Sequence, residues 1–255
     1  MKVFPRILFA LAAVTLLGYL LTRTPRRPVT RLSEKTRLDH EAIVQKNAAD
    51  PDTTLVRSLL AENLASRTFS FATVASACSG KKVLPLDQSP AHLRAIAALG
   101  KALDATLAEL NRPDSPVRQL RRINEASRLF ENAIHRHLQK IPGIACDVPP
   151  TRSGARQRSG YPDLRITDNA SGTVFYLDPK LVAAGSETSS FRSFYFEPKD
   201  ATLKITDDAV HLLVGISHDG KDGAWTFTRW RLVDLSTLRV RLKAEFQASN
   251  GDLYR

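Results

Sequence analysis

Cysteine, methionine and tryptophan are scarce: two, one and two residues in a chain of 255. Two cysteines exclude a disulfide-rich scaffold and a zinc site built from four thiolates. Neither GxxxxGK(S/T) nor GxGxxG occurs. The glycine-rich loops that cradle phosphates are therefore missing, and no nucleotide cofactor is expected. Serine and cysteine nucleophiles lack a local signature. No internal repeat or low-complexity tract is present. What remains is an ordinary globular balance, 43% hydrophobic and 25% charged. It excludes a disordered chain, a collagen-like repeat and a multi-span membrane protein.

The net charge is +11, and its distribution is uneven. The basic excess is +5 over residues 1–60, +4 over 61–150 and +2 over 151–255. Such a balance favours an anionic partner, nucleic acid or an anionic lipid surface. Ile7 to Leu21 is an uninterrupted apolar run, with Lys2 and Arg6 before it and Arg23, Arg26, Arg27 and Arg31 after it. A full span needs ~20 residues, and Val3 and Phe4 extend the run if Arg6 reaches back to the interface. Residues 1–23 are read as an uncleaved N-terminal anchor contacting the membrane through residues 7–21, with a cleaved signal peptide as the second reading. Residues 24–39, with Pro25 and Pro28, read as a basic tether. The flanking charge favours a cytoplasmic body; the precursor-like start and the cysteines below lean towards an extracytoplasmic, periplasmic one.

Residues 40–113 read as a helical region. Ser89-Pro90 is an N-cap followed by proline at the first helical position. Leu93, Ile96, Leu99, Leu103, Leu107 and Leu110 then recur at helical spacing. Ser115-Pro116 repeats the start signal for a second stripe, from Val117 to Leu138, stopped by Pro142-Gly143. The short connection makes the two helices antiparallel neighbours. Cys78 precedes the first helix and Cys146 follows the second, so both thiols come to one end of the hairpin. A disulfide between Cys78 and Cys146 is one reading, and two separate buried thiols the other. A bridge would place the body in an oxidising compartment.

Beyond the turn-rich stretch 149–160 the pattern changes to period two. Expected strands are Asp163–Thr167, Thr173–Leu177, Phe191–Phe196, Val210–Ser217, Trp225–Leu232 and Arg239–Phe246. Trp225, Phe227 and Arg229 share one strand face and Trp230 points to the other. These aromatics either cover the sheet or stack on bases. His211, inside an apolar strand, is either a satisfied structural histidine or a partner to a nearby carboxylate.

The turn Asp168–Gly172 makes the first two strands a hairpin. Its far ends carry Tyr161-Pro162-Asp163 and Asp178-Pro179-Lys180. Antiparallel pairing brings two carboxylates and one ammonium to one corner. Asp163 and Asp178 are hard oxygen ligands suited to Mg2+ or Mn2+. Lys180 would orient or deprotonate a water, or stabilise charge on a phosphate. Proline at 179 cannot donate to a sheet ladder, so the strand is expected to end or bulge there.

Pro162-Asp163, fourteen residues, then Asp178-Pro179-Lys180 resembles the PD-(D/E)xK phosphodiesterase superfamily, the restriction-endonuclease-like nucleases. The resemblance covers roughly residues 115–246. It implies an α/β (α+β) fold, with a mixed sheet of endonuclease-like type over residues 114–255. It also implies metal-dependent phosphodiester hydrolysis, active or degenerate, and a further acidic residue on the preceding helix. That position falls on Glu131, with Glu125 second. Phe196-Glu197-Pro198-Lys199 is a second copy of the acidic-x-lysine half, making Glu197 and Lys199 the alternative pair. Arg152, Arg156 and Arg158 stand just before the site, either contacting nucleic-acid phosphates or solvated in a loop. The competing reading is a non-enzymatic, membrane-anchored envelope or interaction domain, with the same carboxylates in turns.

Overall fold

The computed structural model describes residues 50–186, 188, 189, 194–220, 224–243, 245 and 247–253. The apolar run 7–21 and the tether 24–39 lie outside the described residues. Among the described ones, no helix is long and apolar enough to cross a membrane. Residues 1–62 and 63–255 form two units. In the first, helix α1 (Pro51–Ala61) starts at Asp50, whose carboxylate accepts from the Thr53 N–H at 3.0 Å. None of its residues is buried.

The second unit is built on a six-stranded mixed sheet. Its strands are β2 (Val83–Leu84), β3 (Ile144–Asp147), β4 (Leu164–Asp168), β5 (Thr173–Ala183), β6 (Ala209–Asp219) and β7 (Thr226–Asp234). The order is β2-β6-β5-β4-β3, with β7 also on β6. β5 and β6 run parallel, as do β2 and β6; the other pairs are antiparallel. A separate two-stranded sheet joins β1 (Thr68–Ser70) to β8 (Arg239–Arg241).

Alternation along β5 divides two cores. Phe175 and Leu177 face helices α3 (Pro90–Leu110) and α4 (Ser127–Gln139). Val174 and Tyr176 face the other way, into a cluster with Phe71 and Ala75 of helix α2 (Phe71–Ser79) and with Leu203 and Ile205. The β5–β6 crossover thus helps to cover the second face. A short helix α5 (Asn250–Leu253) stands near the end of the described chain. α3 and α4, on either side of residue 113, share one core.

Ser89 caps α3 as expected, its hydroxyl accepting from the His92 N–H. The buried face is rotated from the leucine stripe. Leu93 is exposed, while Ala95, Ala98 and Ala102 are buried beside Leu99 and Leu103. Ser115 caps only a 3-10 turn, Pro116–Gln119. A second such turn, Ile123–Ala126, follows before α4 begins. The second helix is therefore shorter than its stripe.

Three strand expectations are corrected. β5 does not stop at Leu177 or bulge at Pro179; it runs on to Ala183. β4 ends opposite Leu177, so β5 beyond that point has one unpaired edge, where proline is tolerated. Residues 194–196 are not a strand, and 191–193 lie outside the described residues. The strand from Arg239 ends at Arg241.

Trp230 does not point away from Trp225. Ser217 pairs with Arg229 but His218 with Phe227, which leaves Thr228 as an extra residue. This bulge inverts the parity. Trp225, Phe227, Trp230 and Leu232 all pack on the α3–α4 core. Their polar atoms are used: Trp225 Nε1 donates to the Leu120 carbonyl (3.0 Å) and Trp230 Nε1 to Asp104 (2.7 Å).

The disulfide is absent: Cys78 and Cys146 are free. Cys146 lies in the α3–α4 core, whereas Cys78 packs against the opposite cluster. The sheet stands between them. The argument from a bridge to an oxidising compartment falls away with it.

Candidate active site

The site forms where β4 leaves β5. Leu164 opposite Leu177 is the last pair. One step further out, Asp163 and Asp178 stand on the same face, across from one another. Asp178 is buried and Asp163 half-buried. Two carboxyl groups this close cannot both ionise freely. Burial first, and then the charge on Asp178, pushes the Asp163 carboxyl up to about 8. Lys180, two residues along β5, shares the face; its Nζ lies 2.6 Å from Asp178 Oδ2. The Lys180 ammonium is thus ion-paired with this buried oxygen.

α4 brings in Glu131. Its carboxyl is raised by burial, against the lowering influence of Arg158, Lys180 and Lys204. Arg158 reaches Glu131 Oε2 at 3.2 Å and Asn132 Oδ1 at 2.6 Å. The floor is aromatic. The Tyr161 hydroxyl lies 2.9 Å from His211 Nδ1, with the rings stacked at 5.8 Å. Burial, with the charges of Asp178 and Asp163, holds the Tyr161 phenol well above its ordinary value. Burial lowers His211 to about 3, so it is neutral and structural at physiological pH.

Of the residues singled out from sequence, Glu131, Asp163, Asp178 and Lys180 come together. Glu125 is exposed on the 3-10 turn before α4. Glu197 and Lys199 are exposed and pair with each other at 2.6 Å. Residues 194–196 before them are not a strand, and 190–193 lie outside the described residues. Arg152 is engaged by Asp200 and the Cys78 carbonyl, both at 3.2 Å. Arg158 is engaged by Glu131, and Arg156 is exposed. Sequence reasoning missed Lys204, which is fully buried yet close enough for Asp163, Glu131 and Asp178 to act on it.

The donor set fits a small hard cation. Asp178 offers buried carboxylate oxygens, one of them ion-paired with Lys180, and positive charge between Asp178 and Asp163 relieves their repulsion. Among the described residues no three His, Cys, Asp or Glu side chains already form a cage. Two carboxylates with water completing the shell is the usual manner of Mg2+.

Comparison with known proteins agrees in kind. The model of the type II restriction enzyme MjaV family matches residues 64–255. The chain belongs to that family. A curated relative, "Type II restriction enzyme MjaV" from Methanocaldococcus jannaschii, is 29% identical over 197 residues, covering 73% of this chain and 85% of the relative. Every member of the carboxylate corner lies inside the stretch matched by the MjaV family model.

Proposed function

We propose that the chain is a metal-dependent deoxyribonuclease of the PD-(D/E)xK type, cutting DNA at phosphodiester bonds. The observation that supports this best is the convergence of Asp163, Asp178 and Glu131 with Lys180 at the free edge of β5, in a chain of a restriction enzyme family. In this reading the sheet is of the restriction-endonuclease-like type.

Asp163 and Asp178 would hold Mg2+ or Mn2+, with Glu131 behind them. Such an ion supplies Lewis acidity towards a phosphoryl oxygen and a more acidic bound water. Lys180 donates to the attacking water or to the phosphate oxygen that gains charge. Burial raises the Glu131 carboxyl above its ordinary value, against the pull of Arg158, Lys180 and Lys204. Tyr161 closes the floor against water beneath the carboxylates. Arg156, exposed in the turn-rich stretch before Asp163, would contact the phosphate backbone.

The test is cleavage by the full chain. Plasmid and linear duplex are incubated with Mg2+ or Mn2+, against EDTA, beside Asp178→Asn and Lys180→Met. Metal-dependent, discrete fragments lost in both variants are expected. Cleavage that persists in EDTA or in both variants would remove the assignment. The anchor expected at residues 7–21 rests on composition alone. We propose it separately: a spanning segment stays in the membrane pellet after carbonate extraction, and release into the supernatant counts against it.

A further inference from the structure

Lys204 is fully buried between two buried apolar neighbours, Leu203 and Ile205. An ammonium out of water is costly unless paired and hydrogen-bonded. Its Nζ donates to the Arg158 carbonyl at 3.1 Å. Its backbone N–H donates to the Tyr161 carbonyl, also at 3.1 Å, and the Leu203 carbonyl accepts from the Arg152 N–H at 3.0 Å. Gly160 closes the same seam: a Cβ there would stand 2.0 Å from the Thr202 carbonyl oxygen. Residues 202–204 are therefore laced along the arm that leads into Asp163. The charged groups facing the ammonium are Asp163, Glu131 and Asp178, with Arg158 of the same sign.

We propose that Lys204 is a positioning residue of the carboxylate corner. Its ammonium ties down the Arg158 carbonyl, which keeps residues 158–163 closed against β5. The same charge stands behind Glu131, Asp163 and Asp178. Its consequence for metal binding rests on the nuclease reading; its consequence for the arm does not.

The experiment compares full-length Lys204→Met and Lys204→Arg with the unaltered chain. Amide hydrogen exchange is followed over peptides spanning 158–163, and Mn2+ binding by calorimetry. The methionine variant should exchange about tenfold faster in the arm while the sheet stays protected. Its Mn2+ affinity should fall about tenfold, the usual scale for a residue supporting a ligand. Arginine, which keeps charge and donors, should hold both within about threefold of the unaltered chain. Arm exchange that does not change in the methionine variant overturns the proposal. So does tighter Mn2+ binding, which is what a lysine that merely repels the ion would give. Should the methionine variant not fold, the arginine variant carries the test, and loss of both properties with normal melting overturns it. If the unaltered chain binds no Mn2+, the metal reading fails, while selective loosening of the arm still upholds the role of Lys204.

Discussion

The two ends of the β4–β5 hairpin carry the same residue type in opposite circumstances. At the turn, Asp168 is buried and fully partnered. Arg94 grips it with two hydrogen bonds (3.0 and 2.7 Å), and the Ser171 hydroxyl adds a third at 2.6 Å. These bonds, Arg94 first, hold its carboxyl well below the usual range. At the open end, Asp163 faces Asp178 and is pushed up to about 8, and Asp178 Oδ2 is ion-paired with Lys180 at 2.6 Å. One end is built for stability. The other sets two carboxyl groups against each other beside one ammonium, the arrangement on which the proposed metal site rests. Arg165 repeats the satisfied pattern, gripping Asp207 with two bonds of 2.9 Å.

Variants at the two ends should separate activity from stability. Asp178→Asn removes a proposed metal ligand and one of two repelling charges. Cleavage should fall by about a thousandfold or more, as for loss of a group acting directly on the reaction. Metal-free melting should stay level or rise, which differential scanning calorimetry reports. A large loss of melting temperature would mean that Asp178 belongs to the stabilising class and the contrast is wrong. Arg94→Met should do the reverse. It leaves the Asp168 carboxylate without its two guanidinium hydrogen bonds, so the melting temperature should fall, with cleavage per folded molecule unchanged.

The pH dependence sharpens the same contrast. A carboxyl raised in the folded state binds its proton more tightly there than when unfolded. Stability is then lost as pH rises between the ordinary value, about 4, and the folded one, about 8. Metal-free melting should decline across that window, and Asp163→Asn should flatten the decline. Mn2+ should reverse it, because the ion binds the ionised pair. Asp168 has the opposite sign: its contribution is lost as pH falls into the acid range. A flat difference between the unaltered chain and Asp163→Asn would show that the two carboxyl groups do not repel.

Much of this corner was legible because a hairpin is a local object. The turn Asp168–Gly172 and the alternation on either side set the pairing, and the pairing puts Asp163 opposite Asp178. Glu131 depended on a resemblance, since no local pattern ties a helix position to a strand end. Lys204 gave no signal. In Thr202-Leu-Lys-Ile-Thr206 a lysine between two apolar residues reads as a solvated strand face. Its burial is compensated by groups distant in the chain: the Arg158 carbonyl and three carboxyls. The inverted parity at Trp230 was equally hidden, because a single extra residue at Thr228 leaves no mark in composition. Pro179 misled in the other direction. The rule against proline in a ladder holds, but here β4 has already ended.

The smallest expected effect concerns the thiols. Placing Cys78 before one helix and Cys146 after the next brought them to one end of a helical pair, but a sheet has two faces and each thiol chose a different one. Burial, with the nearby Asp147 charge, pushes the Cys146 thiol up to about 12, while Cys78 is half-buried and raised less. Dithiothreitol should therefore leave melting unchanged. Reducing and non-reducing peptide maps should coincide. Under native conditions iodoacetamide should label Cys78 slowly and Cys146 only after unfolding, because alkylation needs an exposed thiolate. A bridged peptide recovered from freshly purified protein would mean that the two faces of the sheet are not where the cores place them. Replacing Cys146 by alanine should cost about 1 kcal/mol from lost packing, with no change in cleavage.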